Sequence, residues 1–314
     1  MQERERILKM LEEGTITADE AARLLEALGE GGPRFGPHFG KDFGERIARK
    51  VELSLKDVPH IVETAVTSCT DFFGTGEEKE LKFKGKESFV LKTVSGDINV
   101  TGDDDPEIRI KLKNGHKVTE TTDELIFKTM TGDLDINVNN KQKVVLKAAS
   151  GDIRARNISN EVTMRCGSGD VDMKDVTGRV AVALGSGDLD MKDISGTVAI
   201  SLGSGDAEVS ELSGELTLSL GSGDADIVFS ECKGGKIEAG SGDLNITLPE
   251  KSDLELTVHI PKEDKLVSDF EMKKQKASPS FRMDEYKVDI GKPKAKLFLK
   301  TRSGNITISK RRKK

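Results

Sequence analysis

Gly167-Ser168-Gly169-Asp170-Val171-Asp172-Met173-Lys174 decides the fold, because it returns eighteen residues later as Gly185-Ser186-Gly187-Asp188-Leu189-Asp190-Met191-Lys192. The core phrase Ser-Gly-Asp stands at Ser150, Ser168, Ser186, Ser204, Ser222 and Ser241, in steps of 18, 18, 18, 18 and 19. A fixed period of this length marks a stacked repeat architecture. Aligning the chain by that period exposes aliphatic ladders: Val162, Val180, Val198, Leu216; then Met164, Val182, Ile200, Leu218; then Cys166, Leu184, Leu202, Leu220. The other half of each repeat gives Val171, Leu189, Ala207, Ala225 and Met173, Met191, Val209, Ile227. Polar or small residues alternate with these ladders, so each repeat holds two short strands with one face buried. Like residues at like places favour in-register parallel stacking over a hairpin meander. The reading is a mainly β fold, a parallel β-solenoid of about 18 residues per coil.

Outward from this array the pattern weakens. Ser95-Gly96-Asp97 and Thr131-Gly132-Asp133 repeat the phrase 36 residues apart, which is two periods. A degenerate coil turning near Asn114-Gly115 is expected between them. Downstream, Ser303-Gly304-Asn305 repeats it after 62 residues, and 249–309 reads as a modified terminal coil that closes the array. The solenoid therefore spans 80–309. Residues 310–314, Lys310-Arg311-Arg312-Lys313-Lys314, read as a solvated basic tail.

Ahead of the array the period changes. Residues 1–30 read as a helical hairpin, with Ile7, Leu8, Met10 and Leu11 at helical spacing. Thr17-Ala18-Asp19-Glu20 forms a capping box before Ala21, Leu24, Leu25 and Leu28. Residues 31–79 hold a Gly/Pro linker and then an amphipathic helix over 42–73, from Phe43, Ile47 and Val51 to Val66, Cys69 and Phe73. That apolar stripe suits packing on the array, self-association or an in-plane membrane helix.

Composition narrows function. Aromatics are 4% with no Trp, too few for a conventional core or for stacking on sugars, while 32 Gly serve many turns. The three cysteines lack C-x-x-C spacing, and His38, His60, His116 and His259 share no metal-ligand spacing. Gly167-Ser168-Gly169 opens no helix and precedes no Lys-Ser/Thr, so it is no phosphate loop. No cofactor and no enzyme activity are expected. The charged start and the lack of a long apolar run give no secretory signal. A cytoplasmic protein, free or peripheral to the membrane, is expected, with surface exposure by a non-signal route left open.

Charge is uneven. Residues 150–248 carry 8 Lys/Arg against 17 Asp/Glu, and residues 249–314 carry 18 against 10. Two candidate sites follow. The ladder Asp152, Asp170, Asp188, Asp206, Asp224, Asp243 stacks like charges, which a cation such as Ca²⁺ would relieve. The bland alternative is that each Asp bonds turn backbone N–H groups. The tail Lys310, Arg311, Arg312, Lys313, Lys314 is the candidate for anionic lipid. No nucleic acid is expected, since the acidic array opposes its wrapping.

The SHOCT-like start, the amphipathic linker and the Ser-Gly-Asp coils ending in Thr301-Arg302-Ser303-Gly304-Asn305-Ile306 resemble the bacterial "putative adhesin" β-repeat family, which includes LiaX-like envelope-stress proteins. The resemblance implies a right-handed β-helix and a non-enzymatic scaffold or binding protein tied to cell-envelope stress. Protein partners or self-association would use the N-terminal helices. The rival reading is a surface adhesin or a carbohydrate-binding or carbohydrate-active β-helix protein.

Overall fold

The period of two within each repeat and of eighteen between repeats is met by a chain that coils, laying like residues against like. A computed structural model describes residues 66–69, 78–113, 116–275 and 283–311. All lie in the compact unit His60–Lys314. The expected helical hairpin 1–30 and most of the linker fall outside the described residues.

Ten strands precede the regular coils: β1 (Val66–Cys69), β2 (Lys79–Lys84), β3 (Ser88–Thr93), β4 (Ile98–Asp103), β5 (Glu107–Leu112), β6 (His116–Glu120), β7 (Glu124–Thr129), β8 (Leu134–Asn139), β9 (Lys143–Ser150) and β10 (Ile153–Ile158). The array follows as β11 (Val162–Ser168), β12 (Val171–Ser186), β13 (Leu189–Ser204), β14 (Ala207–Ser222) and β15 (Ala225–Ser241). The strands β12 to β15 each turn a corner part-way and so supply both faces of a coil. Pairing is parallel and in register: Val162 lies beside Val180, Val180 beside Val198, and Val198 beside Leu216. The inward ladders form one continuous core in which Val180, Leu184, Leu189 and Met191 are all buried.

Two corners hold each coil. At Ser-Gly-Asp the glycine takes a left-handed backbone, as at Gly187 with φ 124°. A Cβ there would lie 2.2 Å from the carbonyl oxygen of Gly169 in the preceding coil. Only glycine lets the coils approach this closely. At the opposite corner Asp175, Asp193 and Glu211 adopt φ of 54°, 55° and 56°, directly before the buried Val176, Ile194 and Leu212.

The ends depart from the expected order. The 95–97 and 131–133 phrases are direct neighbours: Asp97 N–H donates to Asp133 Oδ1 at 3.1 Å. No coil separates them. β3 lies between β7 and β9, and β4 lies between β8 and β10, all parallel. The segment flanking Asn114-Gly115 is present as β5 and β6, but both run antiparallel, β5 against β8 and β6 against β7. It caps the stack from outside instead of filling the gap. β2 pairs antiparallel with β5 and β1 with β6, which completes the closure. Val66–Cys69 is therefore a strand, and the amphipathic helix expected over 42–73 does not hold for these four residues. Its run Val-Thr-Ser-Cys includes β-branched residues that suit a sheet edge.

The C-terminal end closes the same way. Its strands are β16 (Leu244–Pro249), β17 (Leu254–Pro261), β18 (Leu266–Ser268), β19 (Lys273–Lys274), β20 (Met283–Ile290), β21 (Ala295–Thr301) and β22 (Ile306–Arg311). β21 slots between β15 and β17, and β22 between β16 and β18. β20 then covers β17 antiparallel, with β19 beside it. Within 249–309 the chain's last strands lie innermost, β21 directly on β15 and β22 on β16.

Candidate functional site

The aspartates expected to stack do form one row, and backbone hydrogen bonds explain it. In each step Oδ1 of one Asp accepts the backbone N–H of the Asp one coil on. Asp152 accepts from Asp170 at 2.9 Å, Asp170 from Asp188 at 2.8 Å and Asp188 from Asp206 at 2.9 Å. Asp206 accepts from Asp224 at 2.8 Å and Asp224 from Asp243 at 2.7 Å. The row is longer than the sequence period shows, because Asp133, Asp97 and Asn305 continue it through the same bond. Charge-assisted bonds of this kind offset the repulsion between stacked carboxylates. The row thus fastens one coil to the next.

A second acidic row, Asp172, Asp190, Glu208 and Asp226, runs beside it on the outer surface. Between the rows lies a groove of about 290 Å³ lined by Asp152, Asp170, Asp172, Asp188, Asp190 and Asp206. Arg156 pairs with Asp172 at 3.1 Å and Arg154 with Asp152 at 3.7 Å. Among the described residues no group of three His, Cys, Asp or Glu side chains is placed to hold a metal ion. The groove is lined by carboxylates of both rows and by Arg154.

The basic tail is not uniformly solvated. Lys310 and Arg311 belong to β22. Arg311 pairs with Glu211 at 2.6 Å, and the Lys310 ammonium lies 5.0 Å from the centre of the Phe270 ring. Both are engaged with the fold itself. Arg312, Lys313 and Lys314 lie outside the described residues.

A charged row that the repeat pattern conceals lies on the other face. The register sets Lys117 beside Lys128, Lys128 beside Lys92, Lys92 beside Lys147 and Lys147 beside Arg165. Five cations thus occupy five neighbouring strands. Burial, and then the Lys147 ammonium, hold Lys92 below the ordinary lysine pKa. Burial, then Lys92 and Lys117, do the same for Lys128. Toward the C-terminal end this row becomes Glu238, Lys300, His259 and Glu285, where signs alternate. There Glu238 pairs with Lys236 and with Lys300, the latter at 3.9 Å, and His259 lies 3.7 Å from Glu285. Burial lowers the His259 pKa. Two described cysteines add no nucleophile: burial pushes the Cys232 thiol up to about 11, and burial also raises Cys166. Thiols held above their ordinary pKa are poor nucleophiles at neutral pH.

Stacked parallel coils, glycine corners and two capped ends are the geometry against which the comparisons stand. A family model described as Toastrack DUF4097 matches residues 79–197 and again 159–309. The chain belongs to the Toastrack DUF4097 family. Each of the two Toastrack matches takes one closure together with the coils next to it, and they overlap in the array. A SHOCT-like domain model matches residues 2–33, in agreement with the resemblance drawn from the first 30 residues. No curated protein matches the chain. Among solved structures, a "putative adhesin" from Bacteroides fragilis NCTC 9343 is 14% identical with a TM-score of 0.47, covering 76% of this chain and 100% of that one. A "putative lipid binding protein" from Parabacteroides distasonis ATCC 8503 is 13% identical with a TM-score of 0.41, covering 76% and 98%. Likeness at this level carries no argument about what the Toastrack chain binds. Among its described residues no helix is long and apolar enough to cross a membrane.

Proposed function

We propose that this Toastrack chain is a non-enzymatic binding protein of the cell-envelope stress response, working at the cytoplasmic side of an anionic membrane. The solenoid, taken as right-handed, serves as a rigid surface that repeats charge at fixed spacing. The SHOCT-like residues 1–30 serve as the docking module for a protein partner. The observation that carries the binding role is the use of Ser, Gly and Asp at one corner of every regular coil. Asp188, for example, is occupied in bonding the N–H of Asp206, and Gly187 in admitting the neighbouring coil. Repetition there serves architecture, which leaves the outer faces for recognition.

A pull-down comparing the full chain with residues 60–314 tests the docking role; the cut is placed to retain β1. Partners are expected with the full chain and not with the shorter one. Capture of the same partners by both would remove the docking role from the N-terminal residues. Cell fractionation tests the location, and protein found only outside the cell would favour an adhesin.

A further inference from the structure

We propose that the face carrying Lys117, Lys128, Lys92 and Arg165 docks on a bilayer of anionic phospholipid, which makes this row the contact surface for the membrane role proposed above.

The charge pattern is the first ground. Like charges directly opposite one another on neighbouring strands are destabilising. This row stacks five cations over about 19 Å, at the usual strand separation. Among the described residues no ion pair neutralises Lys117, Lys128, Lys92 or Arg165. Glu124 acts on Lys92 from a distance, and that attraction is the least of the influences on it. Neighbouring lysines are treated differently: Lys86 pairs with Glu120 at 2.9 Å and Lys143 with Glu161 at 3.1 Å. The Nε of Arg165 is buried with no hydrogen-bond acceptor. An arriving anion would compensate this arrangement of stacked charge.

The second ground is apolar. Val94 and Met130 are 46% and 51% exposed, two of three large hydrophobics exposed among the described residues. Each stands two positions beyond its row lysine, Lys92 or Lys128, and one residue past the end of β3 or β7. The two are adjacent, since Ser95 N–H donates to the Met130 carbonyl at 3.0 Å. Exposed aliphatic side chains beside a line of cations suit an interface of acidic headgroups over acyl chains better than a soluble polyanion. The acidic rows occupy the other face of the coils, so an anionic bilayer would orient the molecule with that face away.

The test is co-sedimentation of the full chain with vesicles of phosphatidylcholine alone and of phosphatidylcholine mixed with phosphatidylglycerol. Binding only to the mixed vesicles is expected. Lys92→Gln with Lys128→Gln should weaken it roughly 30-fold, about fivefold per lysine. Val94→Ser with Met130→Ser should weaken it roughly tenfold, and added salt should rescue neither. Melting temperatures of the variants report whether they fold. A wild-type chain that ignores both vesicles would end the membrane role as well as the assignment of its surface. Mixed-vesicle binding unchanged in the Gln pair but lost on removing residues 312–314 would overturn the row alone. Binding to inorganic polyphosphate without binding to vesicles would make a soluble polyanion the ligand and overturn the lipid assignment.

Discussion

The regular coils and the two closures solve one problem in different ways. Between β12 and β14 each strand meets a near copy of itself, so the core ladders, glycine corners and Asp bonds are repeated along the axis. At the ends no further copy exists to cover the core. There the chain reverses, and β5, β6 and β20 lie antiparallel over the last parallel strands. Antiparallel cover serves because the alternation of buried and exposed residues is the same in both directions. Phe83, Ile108 and Ile110 can thus pack inward from reversed strands as the ladder residues do from parallel ones. Repetition gives length, and reversal gives an end.

The strongest way to break this comparison is at a corner where coils touch. Gly187→Val should cost about 5 kcal/mol, combining left-handed strain with displacement of the Gly169 carbonyl, and thermal unfolding would show it. A loss below about 1 kcal/mol would mean the corners relax freely. Leu202→Ala, in the core between matched ladders, should cost about 3 kcal/mol in denaturant titration. The Asp row comes next. Asp188→Ala removes the acceptor of the Asp206 N–H and should cost about 1 kcal/mol, with Asp188→Asn close to wild type. A Ca²⁺-dependent rise in melting temperature, abolished by Asp188→Asn, would instead make the row a cation site.

The smallest effect compares the two ends of one charged row. Lys92→Gln relieves like-charge repulsion and should raise stability by about 0.5 kcal/mol. Glu238→Gln, where signs alternate, should lower it by a similar amount. Equal signs for the two substitutions would show that neighbouring charge does not distinguish these ends.

Much of the array is legible in the primary structure because a ladder needs only one offset. Val162, Val180, Val198 and Leu216 are eighteen apart, and they pair at that offset. The ends are not legible by the same means. The pairing of Lys92 with Lys128 spans 36 residues and that of Lys92 with Lys147 spans 55, and nothing in the period says which phrase becomes whose neighbour. Alternation is also blind to direction, so β5 and β6 look like a coil until their hydrogen bonds show them reversed. The basic row was hidden for the same reason: its members come together only once that order is known. The tail misled differently. Its composition suggests solvent, while Arg311 finds Glu211 a hundred residues upstream.

The slotting of β3 with β4 at one end and β21 with β22 at the other has a mechanical consequence. A solenoid stacked in simple sequence can be unwound from either terminus, each coil leaving as an edge. Here the strands nearest each terminus within the parallel stack have neighbours on both sides. Tension applied to the chain ends must therefore shear two rows of hydrogen bonds at once before any regular coil is freed. The protein is latched at both ends by its own thread, and it should yield to pulling abruptly rather than by unspooling.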